Sequence, residues 1–356
     1  MAAEIEGLFA DGRFATACNA ALELAARIQE VSMKTVIVGA GGLGTLLGAY
    51  LFRGGGDITL LDLPDVVKTL KKGDVEIRRF SGESFKVRLK ATHDPRSLEG
   101  ADLILVCVKT YHSESAVRAI AHLKDRVQSV LSIQNGVDKE LILEKHFGKD
   151  KVIGGCCTEA ASRIGERTIM HTMGGTTYIG ELDGSMTSRV ASAVKLFNEG
   201  GLKAEASEQV VSVEWCKWIN FAAISAVCAL TRLPYYKALL NPYSADLIAL
   251  IYREYAELAK ASGVEVGDYP GFEVKSISRA SADKAVKLLH QRGRNLEEEG
   301  ATKIMPSLAR DMIAGRPTER ESIFGFAVRQ GDARNLSMAF TRYAYALITA
   351  VEESSG

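Results

Sequence analysis

The run Thr35-Val36-Ile37-Val38-Gly39-Ala40-Gly41-Gly42-Leu43-Gly44 constrains this chain more than any other stretch. Apolar, largely β-branched residues lead into G-x-G-x-x-G, and a small-residue segment of helical character, Thr45 to Phe52, follows. A strand that turns on glycine into a helix opens a dinucleotide-binding βαβ unit. In such a unit Gly39 makes the tight turn, Gly41 lets the backbone approach a pyrophosphate, and Gly44 lets the helix lie close on the strand. Ala40, Gly42 and Leu43 complete the loop, whose free N–H groups and helix dipole attract a diphosphate. The glycine pattern alone is weak, and its context strengthens it. The strand-like run Asp57-Ile58-Thr59-Leu60-Leu61 ends in Asp62, eighteen residues past Gly44, where an acid is expected to meet ribose hydroxyls.

With 356 residues the chain exceeds one typical core, which predicts two domains. Lysine plus arginine equals aspartate plus glutamate at 44 each, so neither a nucleic acid nor an anionic membrane is an expected partner. Cys18, Cys107, Cys156, Cys157, Cys216 and Cys228 show no C-x-x-C spacing. They read as buried thiols of a reducing, cytoplasmic compartment, with no metal site. No apolar run is expected to reach transmembrane length. Residues 1–32 stand apart. Glu4, Glu6 and Asp11 replace the basic start of a secretory signal, and Phe14 to Val31 reads as an alanine-rich helix. Such a helical extension suits a surface or a subunit contact, and a homodimer is compatible with it.

From Met33 the pattern alternates strand and helix. Val75–Phe80 and Phe85–Leu89 predict a hairpin around Ser81-Gly82-Glu83. Ala101–Val108 and Ser129–Ile133 are continuous apolar runs, as in strands buried on both faces. Thr168–Met173 and Thr176–Ile179 flank Gly174-Gly175, which predicts a two-residue hairpin, and a helix follows over Met186–Asn198. Beyond Glu208 the segments Val210–Leu230, Ala245–Ser262, Ser281–Glu299, Pro306–Ala314 and Thr318–Gln330 all read as helices. Gly263, Gly315 and Gly331 fall where left-handed helix caps belong. The expected architecture is an α/β Rossmann-type domain over 33–207 followed by an all-α domain over 208–350. Ligands of such sheets bind at the carboxyl ends of the strands, which puts the site in the cleft between the domains.

Several separated motifs now converge: Gly39 to Gly44, Val108-Lys109-Thr110, Ile133-Gln134-Asn135-Gly136 and Glu214-Trp215-Cys216-Lys217. The most specific is the long run from Ser307 through Arg310, Asp311 and Gly315 to Glu319. Together they make the chain resemble the ketopantoate reductase (2-dehydropantoate 2-reductase) family over roughly residues 33 to 350. The resemblance implies reduction of a 2-oxo acid by a nicotinamide. It implies that Lys217 is the catalytic lysine and that Glu319 orients the substrate hydroxyl and the lysine. Asn135 is placed beside nicotinamide and substrate, and Ser307 holds the substrate. Lys109 and Ala161 become cofactor neighbours. Physical chemistry supports the lysine. Hydride arriving at a carbonyl carbon charges the oxygen, and a fixed ammonium stabilises that transition state and can give the proton. A plain surface lysine is the competing reading, but Val213, Trp215, Trp218, Ile219 and Phe221 crowd Lys217. Glu319 has a structural alternative too: Thr318 and Glu321 form a capping-box pattern that puts Glu319 in a first helical turn. Asn135 before Gly136 could serve only as a turn residue.

The chain departs from the family in two places. Asparagines four and eight residues after the lysine are replaced by Phe221 and Ser225. Asn220, at i+3, faces nearly the same side, so Asn220 and Ser225 remain the substrate-binding candidates. The pocket should be more apolar than the family norm. The second departure is Asp62, where a basic residue would meet the 2′-phosphate of NADP. A carboxylate repels that phosphate and accepts from a free 2′-hydroxyl, which favours NAD within a family that mostly uses NADP. Two alternatives stay open: a dehydrogenase of another 2-oxo or 2-hydroxy acid, and a non-catalytic NAD(H) sensor.

Overall fold

A computed structural model of the chain describes residues 32–354, and the expected helix over Phe14–Val31 lies outside that range. In chain order the strands are β1 (Lys34–Val38), β2 (Asp57–Leu61), β3 (Val75–Arg79), β4 (Ser84–Val87), β5 (Lys90–Thr92) and β6 (Ala101–Val106). They continue with β7 (Val127–Ser132), β8 (Val152–Cys157), β9 (Ala160–Arg163), β10 (Thr168–Met173), β11 (Thr176–Gly180) and β12 (Lys203–Ala206). Eight of them form one sheet in the order β12-β11-β8-β7-β6-β1-β2-β5. Only the β8–β11 pair runs antiparallel. The apolar runs explain this centre. Val36 and Val38 pack on one face with Ile104 and Val106, while Ile37 packs on the other with Leu46, Leu60 and Leu105. A strand buried on both faces needs apolar residues throughout, as these have. The carboxyl ends of β1, β6 and β7 then deliver Gly39, Lys109 and Asn135 to one edge.

A second sheet, β4-β3-β10-β9, lies beside the first. The β3–β4 hairpin is as expected. The hairpin expected at Gly174-Gly175 is not formed. β10 pairs with β3 and β9, whereas β11 pairs with β8 and β12, so the glycine pair carries the chain from one sheet to the other. Its close packing requires glycine, since a Cβ on Gly175 would lie 2.0 Å from the Thr158 hydroxyl.

The helical half is organised around Val210–Thr231. This helix is 22 residues long with a mean hydropathy of 1.3, enough by length and composition to cross a membrane, which corrects the expectation of no such run. Its apolarity is accounted for by burial. Trp218, Ile219 and Ala222 to Ala229 form a core with the helices Pro242–Ala261, Ser307–Ile313 and Ala339–Ser354. The half is not wholly helical, because Asp268–Tyr269 and Phe272–Glu273 pair as a short ribbon. The helix expected over Thr318–Gln330 is a π-helical turn, Glu321–Gly325, running into an α-helix, Phe326–Asp332. Gly263 and Gly315 are left-handed, as caps require (φ +77 and +63). Gly331 instead lies inside that last helix, where Met338 packs against it.

Candidate active site

The glycine loop has the shape its sequence demands. Gly39 is at φ +103, and a Cβ there would stand 2.7 Å from the Val108 nitrogen. A Cβ on Gly44 would stand only 1.9 Å from the Gly39 carbonyl oxygen, so helix and strand meet without side-chain room. A Cβ on Gly41 would meet nothing within 4 Å, and no side chain caps the helix Gly42–Arg53 that starts beside it. The loop, with Ala40 and Leu43, therefore leaves uncapped N–H groups facing open space, which fits a diphosphate. Ala161 lies across the loop, its carbonyl 3.2 Å from where a Gly42 Cβ would be. Asp62 accepts from the Ala40 N–H (2.5 Å) and the Leu63 N–H (2.7 Å). A carboxylate offers about four lone-pair sites, so two stay open for ribose hydroxyls. Arg163, which carried no signal in the sequence, reaches in from β9. It donates to the Ala40 carbonyl (2.7 Å), the Thr45 hydroxyl (3.4 Å) and the Glu166 carbonyl (2.7 Å), bracing the turn.

The ends of β6 and β7 meet the helical half. Gln134 donates to the Val108 carbonyl (2.6 Å) and the Ser113 hydroxyl (2.7 Å), tying the two strand ends together and fixing Asn135 next to it. Glu319, 5% exposed, accepts from the Thr110 N–H (3.1 Å), the Lys109 ammonium (3.4 Å) and the Asn135 amide (3.4 Å). Lys109 also donates to Asp311 at 2.7 Å, and Asp311 takes a forked bond from Arg316 at 3.0 and 2.7 Å. Burial disfavours the Lys109 charge, but Glu319 and Asp311 outweigh it and raise its pKa. Ser322 to Thr110 (2.7 Å) and Arg310 to Ser162 (2.6 Å) add two more links between the halves.

Lys217 opens into a narrow cleft with Asn135, Gly136, Cys156, Glu214, Trp218 and Phe221. Among the described residues its ammonium makes no hydrogen bond or ion pair. Its charge is felt by the thiols of Cys156 and Cys157; burial dominates there and pushes Cys156 up to about 12. Beneath the cleft lies a buried charge cluster. Lys139 donates to Glu140 and, at 2.6 Å, to Glu214, which also accepts from the Gly155 N–H at 2.7 Å. Burial, followed by the charge of Glu140, raises the Glu214 pKa to about 8. Burial likewise raises Asp138, to about 6.

The ketopantoate reductase PanE/ApbA family matches residues 35–184, and the C-terminal domain of the same family matches residues 209–352. The chain belongs to the ketopantoate reductase family. It is an oxidoreductase of that kind, with the Rossmann-like sheet and helical half of the family's solved structures. It is 28% identical to the 2-dehydropantoate 2-reductase of Archaeoglobus fulgidus, over 92% of this chain and 99% of the relative. It is 27% identical to that of Halobacterium salinarum, over 87% and 96%. A PanE/ApbA family ketopantoate reductase from Ralstonia eutropha JMP134 superposes with a TM-score of 0.75 at 27% identity, covering 91% of this chain and 99% of the other. D-mandelate dehydrogenase, in a ternary structure with NADH and anilino(oxo)acetate, shares the fold with a TM-score of 0.77 at 21% identity, over 91% and 99%.

Against the family's expected roles, the structure redistributes several contacts. The cation on Glu319 is Lys109, not Lys217, because the β6 loop docks directly on Glu319. Thr318 does not cap its helix; its hydroxyl donates to Glu352 (2.5 Å). Asn220 is partly exposed, and its carbonyl accepts from Tyr252 (2.5 Å) and Arg292 (2.8 Å). Ser225 is fully buried, with a hydroxyl that has no partner. Ser307 opens its helix and makes no side-chain hydrogen bond among the described residues. Asp311, Arg316 and Thr110 lie inside motifs readable in the sequence. The bonds of Asp311 to Lys109 and of Thr110 to Glu319 are not readable there, because the partners stand 202 and 209 residues apart along the chain.

Proposed function

We propose that this chain reduces a 2-oxo acid to the 2-hydroxy acid, with NADH as the preferred hydride source. The observation that carries the reading is the unpaired Lys217 ammonium in a cleft shared with Asn135 and Cys156, at the carboxyl ends of β7 and β8. The cofactor, when bound, supplies the hydride; every other contribution comes from the chain. Gly39 to Gly44 seat its diphosphate, and Asp62 receives the ribose hydroxyls. Asn135, braced by Gln134 and by its bond to Glu319, orients the reacting groups at the mouth of the cleft. Lys217 holds the ketone oxygen and gives it a proton as negative charge develops. Its freedom from other partners leaves the ammonium available for that oxygen. Lys109 acts through Glu319 by fixing the loop on which Asn135 depends. Free buried cysteines suit a cytoplasmic enzyme.

Phe221, lining the cleft where the family places an asparagine, favours a second substrate reading: a 2-oxo acid more apolar next to the keto group than ketopantoate. A panel of 2-oxo acids assayed with both nicotinamides tests these assignments. NADH should give the higher kcat/KM. NADPH preferred by tenfold or more would mean that Asp62 does not meet the 2′-position, and absence of turnover with every acid would refute the reductase reading.

A further inference from the structure

Where the β6 loop meets the helix Ser307–Ile313, the cations outnumber the carboxylates, and Arg310 is the one left over. Lys109 takes one oxygen of Asp311 and reaches Glu319, while the fork of Arg316 takes the other oxygen of Asp311. Arg310 keeps a single hydrogen bond, from Nη1 to the Ser162 hydroxyl at 2.6 Å, and no carboxylate lies within ion-pair distance of it among the described residues. Burial, with Arg316 close by, holds its pKa below the ordinary arginine value although Asp311 acts the other way. A guanidinium offers five N–H donors and only one is used. A partly buried cation supported by one neutral hydroxyl lacks the anion that would offset its desolvation. Ser162 fixes where that anion belongs. The Ala161 carbonyl and the Arg163 N–H, the peptide groups on either side of Ser162, lie 3.2 and 3.5 Å from where a Gly42 Cβ would be. Asp311, next to Arg310, is tied through Lys109 to the opposite flank of the same loop, where Val108 lies against Gly39. Arg310 and Asp311 therefore straddle the glycine loop, and Gly41 between the two flanks faces open space. The cleft around Lys217, by contrast, is lined by neither Arg310 nor Ser162.

We propose that Arg310, supplied by the helical half and held in place by Ser162, is a second binding group for the dinucleotide diphosphate, added to the amides of the glycine loop. The inference rests on the dinucleotide site assigned above and extends it to the other half of the chain. Backbone N–H groups bring partial positive charge, whereas a diphosphate carries full negative charge and is matched better by a guanidinium. Paired N–H groups of that planar fork suit two phosphate oxygens, which a lysine's point charge does less well. The diphosphate is then the counterion that the junction lacks. Each half holds it with its own groups.

The test is calorimetric titration of wild type, Arg310→Gln and Arg310→Lys with NADH and with ADP-ribose, which keeps the diphosphate and lacks the nicotinamide. Arg310→Gln keeps a donor for Ser162 but removes the cation, so both Kd values should rise about tenfold or more, as expected for losing a charged hydrogen-bond donor. Arg310→Lys restores the charge without the fork and should recover part of that loss. Added salt should weaken binding to wild type more steeply than binding to Arg310→Gln. Unchanged Kd values in Arg310→Gln overturn the inference, as does equal weakening in both variants, which would show a loss of fold and not of charge. A loss seen with NADH and absent with ADP-ribose would move the guanidinium to the nicotinamide end and also overturn it. So would a rise confined to the KM of the 2-oxo acid, which would assign Arg310 to the substrate carboxylate. Wild type that binds neither ligand refutes the dinucleotide site itself, and this inference with it.

Discussion

Replacing Lys139 with methionine probes the charged floor of the cleft. Its side chain is 2% exposed, and those of Glu140 and Glu214 are 10% and 5% exposed. Removing one member of a buried ion pair costs about 3–5 kcal/mol, because the other charge is left without compensation. Two carboxylates share this one ammonium, and Glu214, with a pKa of about 8, is already mostly protonated at neutral pH. Only Glu140 is then stranded, which places the Lys139→Met cost near the lower end, about 3 kcal/mol at pH 7. Glu214 has its own signature. Its folded pKa lies above its ordinary 4.5, so its contribution is complete below 4.5 and is lost as pH rises through about 8. Glu214→Gln keeps acceptors for Gly155 and Lys139 and should remove that decline. Urea denaturation of the three proteins at pH 5, 7 and 8.5 measures all of this. A Lys139→Met loss below about 1 kcal/mol at pH 7 would place the cluster among ordinary exposed pairs and refute the reasoning.

Further outcomes follow from single contacts. Gly44→Ala puts a Cβ 1.9 Å from the Gly39 carbonyl oxygen. The overpacking should cost about 1–3 kcal/mol and raise the NADH Kd by more than tenfold in a fluorescence titration; unchanged Kd and Tm would contradict the packing role. Lys109→Met removes the cation from Glu319 while Asp311 keeps Arg316. Lys109 is partly solvated, so the stability cost should be about 1 kcal/mol or less, with the main effect a roughly tenfold fall in kcat/KM seen in steady-state kinetics. Arg163→Ala unbraces the Ala40 carbonyl and should weaken NADH binding several-fold without changing the preference among 2-oxo acids, measured by titration and by the substrate panel.

What was legible in the sequence is what depends on local pattern. The β1–Gly39–Gly44 turn, the apolar central strands and the helix around Lys217 each announce themselves by period or by glycine, and each occurs where expected. Long-range choices were not legible. Gly174-Gly175 has the composition of a hairpin, yet its flanking strands join different sheets, because β3 and β8 compete for them as partners. Lys109 and Glu319 were both identifiable, but not their bond across the two halves. Arg163 shows the limit most clearly. An exposed-looking arginine on a short strand becomes part of the cofactor loop only because a second sheet folds over it. Phe221 and Ser225 were visible as departures, whereas the fixed orientation of Asn220 required Arg292, 72 residues further on.

The most direct measurement is the single-turnover rate of NADH oxidation by wild type and Lys217→Ala at saturating 2-oxo acid, with NADH affinity measured alongside. Loss of the cation and proton donor should slow hydride transfer by about 10³-fold or more, while the NADH Kd stays within about twofold, because the glycine loop is elsewhere. A variant that retains its rate within tenfold of wild type would contradict the account.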